Sequence, residues 1–246
     1  MNVAAVVVSH GHADKVARLL PALRPQVDEL VVVANIPGSV PADVAAVQNA
    51  APLGFGANVN LGVRRTTGEL LVTVNPDAVP EPGAVAVLRA FMAEHPRCGV
   101  AGPRMMYPDG RWQASRRRFP TVAGTLVRRT PLRAVLPQRR HYHLDEAPPD
   151  APVEADWMLG GFLMLRRSML EELGGFDEGY RLYGEDIDLQ YRAMLAGWER
   201  WYVPDAIVRH EHQAETDTRW LTRRTVWHWR GVARFVRKHP ERLVGR

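Results

Sequence analysis

The sequence predicts an α/β protein with a mixed, mainly parallel sheet flanked by helices. Short runs such as "VAAVVV" at 3–8 and "LVVV" at 30–33 are apolar at every position, as strands buried on both faces are. Between such runs lie stretches with apolar residues three and four apart, and strands alternating with helices build a parallel sheet. An apolar share of 46% over 246 residues supplies one full core, whether as one large domain or as a domain with an appended subdomain.

The elements follow in order. "VAAVVV" ends in a polar turn at Ser9, His10 and Gly11, and Val16, Leu19, Leu20 and Leu23 then mark a helix. "ELVVVAN" reads as a second buried strand, 55–65 as a helix, "GELLVTVNPD" as a strand, 81–94 as a helix and "CGVAGP" as a strand. Ligands in such sheets gather at the carboxyl ends of strands, here Ser9 to Gly11, Asn35, and Asn75 to Asp77, so the first hundred residues read as a nucleotide-binding half. From 107 to 152 no periodicity is sustained, and a connection of that length is usually functional or mobile. Beyond it, "DWMLGGFLMLRR" reads as one apolar strand, 168–173 as a short helix and "GGFDEGY" as a turn. A helix beginning near Glu185, a strand near "RWYVP", a segment "AIVRHEH" and a helix over about 219–238 complete the chain.

The net charge of +5 is unevenly spread. Nine Arg and no Asp or Glu fall between Arg111 and Arg140, and ten basic against four acidic residues lie from Arg209 onward, leaving an acidic body. Two basic patches suit phosphate-bearing partners, or form a solvated Arg-rich surface; only two of the thirty-two basic residues are Lys. The single cysteine, Cys98, excludes an intrachain disulfide and fits a reducing compartment. The apolar run at 3–8 is too short to span a bilayer and no basic region precedes it, so the sequence reads as cytoplasmic.

Several groups carry chemistry. Asp77 ends a buried strand, where a carboxylate either starts a turn or joins a divalent cation to phosphate oxygens. Gly54, Gly56 and Gly62 surround a helix start with Asn58 and Asn60, which suits close approach of backbone to a ligand or tight packing of the helix itself. At the start of the helix near Glu185, one acid is explained by capping and the dipole, and Asp188 by a surface pair with Arg192 four residues on. Glu185 and Asp186 remain as candidates for catalysis, while Ile187, Tyr191, Met194, Leu195 and Trp198 form the expected core stripe. His210 and His212 alternate along an extended segment, as ligands for a metal or a diphosphate, or as surface decoration.

Taken in order, "VVVSH", "APLGFGANVNLGVRRTTGELLVTVNPDAVPEPG", "RRRFPT", "DWMLGGFLMLRRSMLEELGGFDEGYRLYGEDIDLQYRAMLAGW" and "VRHEH" resemble the family-2 glycosyltransferases, especially their rhamnosyltransferase-like branch. The resemblance spans nearly the whole chain, and its most specific part is Gly-Gly-Phe-Asp followed by Tyr-Gly-Glu-Asp-Ile-Asp-Leu. It implies a GT-A fold in one domain, with a nucleotide-sugar-binding half at 1–103, an acceptor-side catalytic half at 104–215 and a basic C-terminal helix at 216–246. It implies inverting transfer with Mg²⁺ or Mn²⁺ from a nucleotide-diphosphate sugar to a glycan or polyprenyl-linked acceptor, with dTDP-L-rhamnose first among the donors and UDP- or GDP-sugars next.

Residue by residue, the resemblance makes Asp186 the base, with Glu185 positioning acceptor or base, and gives the metal to Asp77 and His210. Ser9, His10, Gly11, Asn35, Gly54, Phe55, Asn58, Asn60 and Asn75 would line the donor, with Arg116, Arg117 and Arg118 as a phosphate clamp. Trp157, Gly160, Gly161 and His212 would face the acceptor. Relatives often place an Asp where this chain has Ala34, which leaves the nucleoside contact open. The Trp- and Arg-rich C-terminal helix either packs on its own domain or touches the inner face of the plasma membrane. Two rival readings are a non-catalytic nucleic-acid or polyanion binder, which lacks a recognition module here, and a sugar nucleotidyltransferase, whose Gly-rich basic loop "SHGHADK" does not provide.

Overall fold

The computed structural model describes residues 1–120, 147–211 and 223–243. Twelve strands and six α-helices are described: β1 (Val3–Ser9), α1 (Ala13–Leu23), β2 (Glu29–Ala34), β3 (Val47–Gln48), α2 (Phe55–Val63), β4 (Leu70–Val74), β5 (Ala78–Pro80), α3 (Ala84–Glu94) and β6 (Cys98–Met106) in the first part. There follow β7 (Trp112–Gln113), β8 (Arg116–Arg117), β9 (Val153–Glu154), β10 (Trp157–Met158), β11 (Phe162–Arg166), α4 (Arg167–Leu173), α5 (Glu185–Leu195), β12 (Glu199–His210) and α6 (Arg223–Lys238).

The main sheet runs β3-β2-β1-β4-β11-β6-β12-β5, with β7 beside β6 and β9 beside β12. The pairings of β2 with β1, β1 with β4, and β6 with β12 are parallel. The sheet is mixed and mainly parallel, as expected: β11 runs antiparallel between β4 and β6 and joins the late part of the chain to the early strands. β6 itself crosses the 103/104 division.

Alternation along β1 decides which layer each residue serves. Val3, Ala5 and Val7 pack with Val16, Leu19 and Leu23 of α1 and Leu88 and Met92 of α3, whereas Ala4, Val6 and Val8 pack with Val59 of α2, Met169 of α4 and Leu189 and Ala193 of α5. A third cluster gathers Phe119, Trp157, Tyr180 and Tyr191 around Phe235 of α6.

Three local expectations change. "DWMLGGFLMLRR" divides into β10 and β11 because Gly160 and Gly161 make a turn between them. "RWYVP" and "AIVRHEH" merge into the single strand β12, kinked by a register shift between Val203 and Ile207. The apolar stripe of α5 is wider than expected and loses one member: Tyr191 is buried and Ile187, Met194 and Trp198 pack on buried clusters, Leu189 and Ala193 are buried as well, and Leu195 is 61% exposed. The cause is that α5 is covered on two sides, by the sheet layer and by the aromatic cluster under α6. For the same reason Asp188 does pair with Arg192, at 2.8 Å, but its carboxylate is wholly buried rather than on the surface.

Candidate functional site

The carboxyl ends of β1, β4 and β12 meet at one edge, with the β10–β11 turn against it. Asp77 follows β4, and its main-chain oxygen accepts a hydrogen bond from the Glu211 N–H, which ties it to the end of β12. His210 is buried and sets Nε2 3.5 Å from Asp77 Oδ1. Its Nδ1 lies 2.9 Å from Gln113 Oε1, an acceptor that places a hydrogen on Nδ1. Burial alone would raise the Asp77 carboxyl, but the hydrogen bond and charge of His210 together with the Lys15 ammonium bring it down to about 2.

One carboxylate and one imidazole suit Mg²⁺ or Mn²⁺, and hard cations of this kind commonly complete their shell with substrate phosphate and water. No group of three or more His, Cys, Asp or Glu converges among the described residues, so the fit is that of a two-ligand site shared with a ligand's oxygens.

Asp186 stands at the second position of α5. The chain enters this helix through two left-handed residues, Tyr183 at φ 68° and Gly184 at φ 99°. Gly231 of α6 sits directly over Tyr183, close enough that any side chain there would strike its carbonyl. Gln190, one turn on, accepts from Met158 N–H and donates to Met158 O, each at 2.8 Å, and so fixes α5 against β10. Asp186 accepts from Ile187 N–H at 2.9 Å and from Gly160 N–H at 3.1 Å.

The two glycines between β10 and β11 connect these centres. A Cβ on Gly160 would lie 3.1 Å from Asp186 Oδ2, and one on Gly161 3.2 Å from His210 Nε2. The Gly161 carbonyl in turn accepts from Asn75 N–H at 2.9 Å. Expected base and expected metal ligand therefore flank one two-residue turn without side chains.

Electrostatics separate Glu185 from Asp186. Burial, then the charge of Asp186, push the Glu185 carboxyl up to about 8. Burial also raises Asp186, opposed by the Ile187 and Gly160 amides and the Arg117 charge. Those donors favour ionised Asp186, whereas Glu185 Oε2 has no hydrogen-bond partner among the described residues, so Glu185 is the neutral member of the pair.

On the donor side, Ser9 Oγ donates to Ser39 O at 2.6 Å, and Ser39 Oγ accepts from Gly11 N–H at 2.9 Å. Gly11 turns the chain at φ 79°, a conformation that favours glycine. Asn35 donates to Leu53 O and accepts from Leu53 N–H and Asn49 Nδ2, and its amide lies 3.0 Å from His10 Nδ1. Asn49 also reaches Asn58 Oδ1 at 2.6 Å. This amide network surrounds the end of β2, where Ala34 is buried and its carbonyl accepts from Gln48 Nε2 and Asn49 N–H.

Four of the expected site residues have partners within the fold. Gly54 packs under the Tyr180 carbonyl, as Gly56 packs on Phe176 and Gly62 on Val6, so these glycines serve helix packing. Phe55 meets Phe176 edge to face. Asn60 donates to Phe176 O and accepts from Phe176 N–H, bridging α2 to the turn at 174–180. Trp157 is 2% exposed, donates Nε1–H to Arg118 O and carries the Arg117 guanidinium over its ring, so it packs in the core.

Arg116 and Arg117 form β8 against β10, with Arg118 exposed beside them. His212 lies outside the described residues, as do 121–146. Sequence reasoning missed Lys15, Ser39, Asn49, Gln113 and Gln190, and of these only Lys15 left a signal, as one of two Lys in the chain.

The family profile described as "Glycosyltransferase like family 2" matches residues 3–229. The chain is 33% identical over 197 residues to an N-acetylglucosaminyl-diphospho-decaprenol L-rhamnosyltransferase of Mycobacterium tuberculosis, covering 72% of this chain and 61% of that protein. The chain thus spans about three fifths of that relative's length. Rhamnosyltransferase WbbL of Escherichia coli K12 is 25% identical over 251 residues, covering 94% of this chain and 91% of that one. GalNAc-T7 with UDP, GalNAc and Mn²⁺ superposes with a TM-score of 0.68 at 15% identity, covering 96% of this chain and 48% of that one. Mannosyltransferase PcManGT of Pyrobaculum calidifontis with GDP-Man and Mn²⁺ does so at 0.57 and 16%, covering 98% and 72%. At those identities the likeness is one of fold, and it is the GT-A fold that the resemblance implies.

Proposed function

The chain belongs to glycosyltransferase-like family 2, and from that premise we propose that it is an inverting transferase moving a sugar from a nucleoside-diphosphate donor to a lipid-linked glycan. The observation that carries this reading is the Gly160-Gly161 turn, with Asp186 against one glycine and His210, itself on Asp77, against the other. A reacting sugar needs a base on one face and charge compensation on the other, and this turn has the expected base beside one glycine and the expected ligand pair beside the next.

Asp186 takes the proton of the acceptor hydroxyl as that oxygen bonds to the anomeric carbon. The bond from that carbon to the diphosphate breaks in the same step, and its electron pair leaves with the diphosphate. Neutral Glu185 keeps a second negative charge from opposing Asp186 and donates a hydrogen bond to hold the acceptor. Asp77 and His210 would hold Mg²⁺ or Mn²⁺, which when bound offsets the charge gained by the leaving diphosphate. Lys15 lies beside Asp77, and Arg117 faces the Asp186 side.

For the donor we propose an L-rhamnosyl nucleotide, dTDP before UDP or GDP, and for the acceptor a polyprenyl-diphosphate-linked N-acetylglucosamine. The names of the Mycobacterium and Escherichia relatives support this choice. With Ala34 at the end of β2, nucleoside selection falls to His10, Asn35 and Asn49. No helix among the described residues is long and apolar enough to cross a membrane. The outer face of α6 carries Val226, Arg230 and Arg237, all exposed, which suits a peripheral contact with the cytoplasmic face of the membrane that bears such an acceptor.

The test is incubation of the protein with dTDP-L-rhamnose and a short-chain polyprenyl-diphosphate N-acetylglucosamine, with Mn²⁺ and with chelator. A lipid product heavier by one deoxyhexose, formed with Mn²⁺ together with free dTDP, is expected. Inorganic pyrophosphate from a nucleoside triphosphate and a sugar phosphate, with no transfer from any nucleotide sugar, would replace this reading with that of a nucleotidyltransferase.

A further inference from the structure

Lys15 is the one lysine in the first 237 residues, and it stands on the first turn of α1, directly after the β1 turn. Its side chain is only 14% exposed, an unusual burial for a residue whose ammonium is strongly hydrated. The stem lies along the sheet edge, and Nζ sits 3.5 Å from Asp77 Oδ2 and 3.7 Å from Glu211 Oε2. Arg18, more exposed, reaches the same Glu211 oxygen at 3.4 Å.

These distances carry the argument. Charge-assisted hydrogen bonds close to about 2.8 Å, so both carboxylate contacts of Lys15 are long for a pair built only to stabilise the fold. An ammonium has three donors, and neither contact saturates one. The elements around it also point positive charge at this edge, because the first turn of α1 turns its free N–H groups and the positive end of its dipole the same way. Among the described residues the carboxylates within 4 Å of the Lys15 ammonium are those of Asp77 and Glu211. A diphosphate arriving beside Asp77 therefore meets a positive centre that belongs to the chain itself.

We propose that Lys15 binds the diphosphate of the nucleotide directly, alongside the Asp77–His210 metal site, and gives the protein a share of nucleotide affinity that does not depend on a divalent cation. This rests on the nucleotide-sugar reading above. Asp77 and Glu211 then act as a holder that keeps the ammonium at the edge, and the diphosphate oxygens take up the donors left unsaturated. Lys15 also offsets the leaving group's growing charge, next to whatever Asp77 and His210 hold.

Calorimetric titration of the wild-type protein, Lys15→Met and Lys15→Arg with dTDP, UDP and GDP tests this, each with Mn²⁺ and with excess chelator, and with Mn²⁺ alone. Wild type is expected to bind one nucleotide in chelator and to bind it more tightly with Mn²⁺. Lys15→Met should lose about tenfold or more of the chelator affinity, the scale of one charge-assisted hydrogen bond, and Lys15→Arg should recover part of it. Lys15→Met should also bind Mn²⁺ alone more tightly than wild type, because a cation has been removed from the Asp77 carboxylate. Equal chelator affinity in wild type and Lys15→Met, or wild-type binding that vanishes without Mn²⁺, would overturn the role of Lys15 while leaving the transferase reading intact. Absence of nucleotide binding by wild type under both conditions would remove the transferase reading, and this inference with it.

Discussion

The two sides of α5 carry carboxylates two residues apart, and the protein treats them in opposite ways. On the rear side, Asp188 is wholly buried among Lys238 at 2.7 Å, Arg192 at 2.8 Å, His239 at 3.0 Å and the Tyr180 hydroxyl at 3.3 Å. Burial would raise its carboxyl, but Lys238, Arg192 and His239 hold it below the usual carboxylate range. On the front side, Asp186 accepts, among the described residues, from the Gly160 and Ile187 backbone N–H groups and is raised by burial. A saturated carboxylate is a structural anchor and a poor base. A carboxylate that is enclosed without a bonded cation retains its basicity, at a cost in stability.

The rear anchor reaches further through α6. Arg234 and Lys238 also grip Asp177 at 2.7 and 2.6 Å, so the last described helix is fastened both to the turn at 174–180 and to α5. That clamp, with Gly231 over Tyr183, holds the left-handed entry into α5 and so the height of Asp186 above Gly160. The basic C-terminal helix expected from the sequence therefore packs on its own domain along one side, with its outer side open.

The largest expected effect removes the front carboxylate's chemistry alone. Asp186→Asn should lower turnover at least about a thousandfold, the upper range for loss of a general base, with nucleotide affinity unchanged. It should also raise the melting temperature, because a disfavoured charge is gone; a lower one would show that Asp186 is held like Asp188. Next in size, Asp188→Asn should cost about 3 kcal/mol in denaturant unfolding, since Lys238, Arg192 and His239 lose a buried counter-charge. A loss below about 0.5 kcal/mol, the scale of an exposed pair, would break the contrast between the two sides. Asp177→Ala, removing a partly exposed partner of α6, should cost about 1 kcal/mol.

A separate test of the contrast is the pH dependence of stability. Glu185 is raised to about 8, so from the ordinary carboxylate range up to about pH 8 the unfolded chain has lost a proton that the fold retains, and stability falls as pH rises through that window. Asp188 is lowered, so its stabilisation is present above the unfolded value and is lost as pH falls through the folded one. Thermal melts of Glu185→Gln should be flatter between pH 5 and 8 than those of the wild type, with the acid-side loss unchanged.

How far the sequence displayed these features depends on range. The apolar runs of β1, β2 and β4 and the spacing in α1 are local signals, and the layers they predict are present. Asp77, Asp186 and His210 were legible because motif order brings them to one edge. Asp188 was legible only as a partner for Arg192, because its other cations lie about fifty residues away on α6, where no local spacing reports them. Which strand enters antiparallel, and the second buried side of α5, were hidden for the same reason, since both follow from contacts between distant segments. Gly54 and Trp157 pack within the fold, which their sequence context did not report, because glycines at a helix start and an aromatic beside a turn look alike whether they meet a ligand or the core.

The account turns on one base opposite one set of cations, so that transfer is a single displacement at the anomeric carbon. Proton NMR of the product, reading the coupling or the one-bond carbon–hydrogen constant at the newly linked sugar, tests that most directly. The account predicts an anomeric configuration opposite to that of the donor. Retention of the donor's configuration would contradict it, because a second displacement or an attack from the leaving side would then be required and Asp186 would not be acting as the base.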